Sequence, residues 1–309
     1  MKTLIYPLAV FGLVASAFGQ GNSNGQGNSN SQDDNKEPDV VGIMWAKGFE
    51  PSSQAGGGSN GARAWSPLMT YHGGKIMTTV TTQTIFWGAS WATYTGDKIT
   101  GMDNWYYGFS GSNYAKTSDE YTGSNGQVGA TTSHLGHIID SSAAAGGGSA
   151  SAILAEVCKE IAVPEPNGNG YYAVCTDLPR GNAGYCAWHS AGTCHGKTVQ
   201  FAFFWKLDGD AGCDPGSTVP GHSQGLAALA NVSGHELSEA RTDPTSPGAW
   251  YDSSGNENGD KCAWTFNMPY VTFPNGSQWK IQGEWSNAAY TAGTGYPNSS
   301  GQKGCLDGH

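Results

Sequence analysis

Residues 233 to 244 read SGHELSEARTDP, and three of them have the types and spacing to hold a metal ion: His235, Glu236 and Glu239. The stretch follows the zinc-peptidase pattern H-E-x-x-H, with glutamate in place of the second histidine. On a helix, positions i and i+4 lie on one side a turn apart, so His235 and Glu239 can reach one cation. Glu236, about a quarter turn round, is placed to act as general base on a water whose pKa the ion lowers. A third ligand must come from elsewhere, and the loop GNENGDKC offers Glu257 and Asp260, 18 and 21 residues after Glu239. The same residues are also what a solvated helix face carries, because H-E-x-x-E lacks the second imidazole that makes the zincin pattern specific.

Elements must position these groups. A helix is predicted from about Gly225 to Arg241, with Leu226, Leu229, Ala230, Leu237 and Ala240 as its packing stripe and Pro244 as its stop. His235 and Glu239 fall roughly opposite that stripe, facing solvent or a cleft. SASAILAEVCKEIA, residues 149 to 162, predicts a second helix that packs through Ile153, Leu154, Val157 and Ile161. Strands are expected in KIMTTVTTQTIFWG (75 to 88), YYAVCTD (171 to 177) and KTVQFAFFWKL (197 to 207), the last nearly continuous in apolar residues and so central. Two short strands are expected around YVTF and SQWKIQG. The aromatic run NWYYGFSGSNY reads as a core strand, or as a surface that stacks on sugar rings. The fold class that results is α+β: one loop-rich, disulfide-bonded domain over residues 41 to 309, a mixed β-sheet with the H-E-x-x-E helix beside it.

Residues 1 to 19, MKTLIYPLAVFGLVASAFG, have the charge, apolar core and small residues of a signal peptide. Residues 20 to 40 are polar and of low complexity, hence disordered. The protein is therefore expected to be secreted, without a membrane anchor. With 15 basic against 25 acidic residues and a net charge of −10, the chain lacks the footprint of a nucleic-acid binder. In an oxidising compartment six of the seven cysteines should pair. Cys158, on the apolar face of its helix, is the expected free thiol, and a Cys262–Cys305 bridge would pin the C-terminus. Asn231, Asn275 and Asn298 begin glycosylation sequons, of which Asn231 lies inside the predicted helix and should go unused.

Two rival sites compete. GHSQG, residues 221 to 225, matches the G-x-S-x-G elbow of serine esterases and makes Ser223 a candidate nucleophile. The approach GCDPGSTVP is loop rather than strand, which favours Ser223 as the helix N-cap. Asp208, Asp210 and Asp214 in LDGDAGCD could bind calcium, though such a run is more often a solvated turn.

Several stretches together resemble one family, the phosphate-induced protein 1 or EXORDIUM-like secreted proteins of plants, with relatives in fungi, oomycetes and bacteria. They are MTYHGGKIMTTVTTQTIFWGASW, YCAWHS, GHELSEARTDP, AWYDSSGNENGDKCAW and EWSN. The resemblance carries over to His235, Glu236, Glu239, Glu257 and Asp260, and adds His72 and His189. Asp243 stands where plant members commonly have asparagine, so it is expected to cap the helix end. The resemblance implies the apoplast or cell wall and growth responses, and no defined activity.

Chemistry and resemblance together give a secreted metal-dependent hydrolase, most like a zinc metallopeptidase. Its expected ligands are His235, Glu239 and Glu257, with Asp260 as alternative ligand or orienting group. Glu236 is the expected base, and His189 or His72 polarises the oxyanion. Zinc is the expected ion, with manganese or calcium as alternatives for so hard a ligand set. The expected partner is an extracellular peptide or protein, or a cell-wall polysaccharide, met by a monomer. The alternative is a non-catalytic wall or carbohydrate-interacting protein with a structural ion; a serine esterase is the third reading.

Overall fold

The computed structural model describes residues 40–51 and 67–309. The expected signal peptide and nearly all of the polar lead lie outside the described residues. The molecule is mixed α and β, built on a six-stranded mixed sheet. Its strands are β1 (Val40–Trp45), β2 (Val80–Trp87), β3 (Thr132–Asp140), β4 (Gly170–Pro179), β5 (Tyr185–Cys194) and β6 (Lys197–Lys206). They lie in the order β1-β5-β6-β4-β2-β3. The β3, β2, β4 and β6 strands run parallel, β5 runs antiparallel to β6, and the edge strand β1 runs antiparallel to β5. The apolar run in β6 thus has neighbours on both sides, as its composition requires.

Alternation along the strands sorts side chains to two faces. Phe86, Ala173, Cys175, Ala202 and Phe204 join a core with α1 (Lys98–Phe109) and α3 (Gln224–Thr242). Ile85, Val174, Phe201 and Phe203 join another with α2 (Ala150–Glu160). The expected short strands pair as Val271–Thr272 with Gln278–Trp279.

Two expectations are corrected. NWYYGFSGSNY is not a strand: it forms the second half of α1 and the start of the one-turn helix Asn113–Lys116. The buried Met102, Trp105, Tyr106 and Phe109 of α1 fall at the i, i+3, i+4, i+7 spacing of a helix face, which outweighs the strand preference of the aromatics. Cys158 is not free: the bridges are Cys158–Cys194, Cys186–Cys213 and Cys262–Cys305. The free thiol among the described residues is Cys175, buried where β4 faces α1 and α3, and burial pushes its pKa up to about 12. Because Cys158 sits at the rim of its helix face, it reaches the end of β5.

The α3 helix differs from expectation in one important respect. Every residue from Gly225 to Thr242 is buried. The side away from the apolar stripe does not face water, because β1, the loop 252–262 and residues 282–284 cover it. Ser223 is the N-cap, its hydroxyl accepting from Leu226 N at 3.1 Å, and α3 packs on β1, β5 and β6.

Candidate metal centre

Three segments bring polar groups to the covered side of α3. Its own turns supply His235, Glu236 and Glu239, β5 supplies His189, and the loop supplies Glu257 and Asp260. His189 Nε2 lies 3.3 Å from Glu257 Oε2 and 3.7 Å from Glu239 Oε2. His235 Nε2 lies 3.0 Å from Glu239 Oε1 and 3.8 Å from Asp260 Oδ1. Two atoms bonded at about 2.1 Å to one tetrahedral ion stand roughly 3.4 Å apart, so these are separations typical of a shared ligand shell. Glu239 faces both ways, one oxygen toward each histidine.

The surrounding backbone holds the carboxylates in place. Asp260 N–H donates to Glu239 Oε1 at 3.0 Å, and Glu257 N–H donates to Asp260 Oδ2 at 3.1 Å. Asn258 accepts from Thr242 Oγ1 at 3.3 Å and from Trp285 N at 3.0 Å, and Cys262–Cys305 anchors the end of the loop. Gly259 is needed for the close approach: a Cβ there would lie 2.9 Å from both Glu239 Oε1 and His235 Nδ1. Gly42, paired with His189 across the sheet, is tighter still. A Cβ on Gly42 would lie within 2.5 Å of Glu239 Oε2, and closer to His189 Nε2 and Glu257 Oε2.

His189, His235, Glu236 and Glu239 are fully buried, and Glu257 is 2 % exposed. His235 Nε2, Glu236 Oε2, Glu239 Oε2 and Glu257 Oε1 have no hydrogen-bond partner among the described residues. A buried polar atom without a partner costs about 1–3 kcal/mol, and more when charged. Four such atoms in one place call for cations or protons. Without a cation, burial pushes Glu239 up to about 8 and Asp243 up to about 7, and burial followed by the Glu239 charge raises Glu236 and Glu257 well above the usual carboxylate range. Burial lowers His189 to about 3, with the His235 charge adding to it, and lowers His235 to about 4. Both imidazoles are therefore neutral near pH 7, the form that binds metal.

The two histidines are not equivalent. Gln282 Oε1 accepts from Trp264 N at 3.2 Å, while its amide nitrogen donates to Gly259 O at 2.8 Å and to His235 Nδ1 at 3.1 Å. With Nδ1 accepting, the proton of neutral His235 sits on Nε2, which is near Glu239 Oε1 but misaligned for a hydrogen bond. An ion on His235 Nε2 would require Gln282 to turn its amide end for end and set two N–H groups against each other. His189 Nδ1 has no partner, so its Nε2 lone pair meets Glu239 and Glu257 without rearrangement. The triads His189, Glu236, Glu239 and His235, Glu239, Asp260 each bring ligand atoms within 4.8 Å of one another.

His72 lies apart from the centre, stacked on Tyr251 with ring centroids 3.6 Å apart. Asp243 does more than end the helix, since its buried carboxyl accepts from Ala249 N. Ser223 bonds Asp97 Oδ1 at 2.7 Å and has no histidine partner. The loop acids diverge, Asp208 to Lys98 and Asp210 to Arg180. Asn231 is buried and accepts from Gln282 N at 2.8 Å, which bars a glycan there. Sequence reasoning missed Gly42, Gln282 and Glu284, the last buried and accepting from Tyr114 Oη at 2.6 Å. The isolated glycine in VVGIMW was a readable sign of close approach; Gln282 carried none.

No family model, curated protein or solved structure matches this chain.

Proposed function

We propose that the protein is a metal-dependent hydrolase of peptide bonds, its ion held by His189, Glu239 and Glu257, with His235 and Asp260 completing or orienting that shell. The carrying observation is the set of buried, unpartnered nitrogen and oxygen atoms around Glu239, spaced as ligands of one ion are. This reading moves His189 from oxyanion donor to ligand and gives up His72. One imidazole with two or three carboxylates is a hard set, which suits manganese or calcium as well as zinc.

When bound, the cation supplies Lewis acidity to a water and to the scissile carbonyl. Glu236 Oε2 takes the water proton; with β1 in place its Oε1 accepts from Met44 N–H at 3.1 Å. The water oxygen bonds the carbonyl carbon, the C–N bond breaks, and Glu236 passes the proton to the leaving amine. Three disulfides, and the absence among the described residues of a helix long and apolar enough to cross a membrane, support an extracellular setting. The likeness to the phosphate-induced protein 1 family supports the same setting.

A second reading, a structural ion in a non-catalytic wall protein, draws on the closure of the centre, since closed sites are typical of structural metals. Elemental analysis of purified protein, with wild type and Glu236→Gln compared on a peptide library, decides between them. Metal without chelator-sensitive hydrolysis leaves the structural reading, and no metal sinks both.

A further inference from the structure

A buried centre can act on a peptide only if something covering it leaves, and β1 has the position for that. It is the edge strand of the sheet, antiparallel to β5, with Gly42 opposite His189. Gly42 lies against the three atoms that converge from His189, Glu239 and Glu257. Two residues on, the Met44 amide turns out of the sheet and donates to Glu236 Oε1. One short strand thus blocks the ligand triad and holds the base. Strand and carboxylate meet as an extended peptide meets a receptor at a sheet edge, with main-chain bonds for affinity and alternate side chains for selection.

We propose that β1 is the internal occupant of a peptide-binding groove between β5 and α3, and that the substrate is an extended peptide that takes its place, antiparallel to β5. This rests on the hydrolase reading above. The groove selects a glycine over the triad, because any Cβ there collides with the ligand atoms. Two positions later it takes an unbranched apolar side chain, in the fully buried space of Met44. Ahead of the glycine it opens into a cleft of about 210 Å³ lined by Val41, Thr193, Thr198, Thr245 and Ser246. That opening is where an incoming chain starts to pair.

The test uses the full chain with a specific protease site inserted between Gly48 and Phe49, in the exposed turn after β1. No cysteine precedes Cys158, so cleavage leaves β1 held by non-covalent contacts alone. Fluorescent Val-Val-Gly-Ile-Met-Trp should then exchange into the cleaved protein, and bind it at least about tenfold more tightly than Val-Val-Ala-Ile-Met-Trp. No exchange, or equal binding of the two peptides, overturns the proposal. Chelator-sensitive cleavage of a longer glycine-containing peptide is scored separately. Selective exchange without hydrolysis keeps the groove and removes the enzyme; hydrolysis with no preference for glycine does the reverse. Hydrogen exchange on the uncut protein checks the same point without cleavage. The Ile43 to Trp45 amides should exchange through an opening that leaves the β5–β6 ladder protected, and exchange only on global unfolding overturns the proposal.

Discussion

Glu239 is the residue on which the centre turns, because its two oxygens serve different histidines. Glu239→Gln is therefore expected to abolish metal retention in elemental analysis, whereas Glu236→Gln should keep the ion and cut peptide hydrolysis by about 10²–10⁴-fold. Gln282→Leu removes the donor that keeps the His235 proton on Nε2, so that nitrogen becomes free to take the ion, and metal affinity in a chelator competition should rise rather than fall. The metal-free protein carries a pH signature of its own. Its buried carboxylates have raised pKa values, so the folded state binds more protons than the unfolded chain, and stability falls as pH rises through them. The histidines oppose this, but only between about 3 and their ordinary 6.5. Between about pH 6.5 and 8, up to the Glu239 value, the carboxylates act alone. Chelated protein should lose denaturant midpoint over that window, and added cation should remove the slope. The i, i+4 pair His235 and Glu239 was legible in the sequence because helix geometry is local. His189 was pointed to only by the family pattern, since its approach depends on sheet register.

At the scale of elements, α3 was predicted within a residue or two at each end, because Ser223, the apolar stripe and Pro244 all act through neighbours in sequence. Its burial was not predicted, since the cover comes from β1 and the 252–262 loop, which periodicity on α3 does not report. The error in α1 had the opposite origin: residue type was weighed above spacing. Ser223→Ala tests the capping assignment. It should cost about 1 kcal/mol of stability by denaturant titration and leave peptide hydrolysis unchanged, and a serine-reactive probe should not label the protein.

Across the whole molecule, the sheet order was beyond reach from sequence, because a six-strand order with both parallel and antiparallel neighbours follows from long-range pairing. The Cys262–Cys305 bridge agrees with the pairing expected, although spacing alone does not fix connectivity. It closes 43 residues of sequence and anchors the acidic loop, so its loss should cost about 2–5 kcal/mol. Cys305→Ser is expected to lower the thermal midpoint and to release metal at lower chelator concentration than wild type.

That bridge also orders events during biosynthesis. Glu257 and Asp260 reach the helix on a loop whose far end the Cys262–Cys305 bridge fixes, so on the proposed reading the ligand shell would be completed where thiols are oxidised. A chain folding there would take its ion from what that compartment supplies. On that reading the identity of the ion would be decided by where the bridge closes as much as by the affinity order of the ligands.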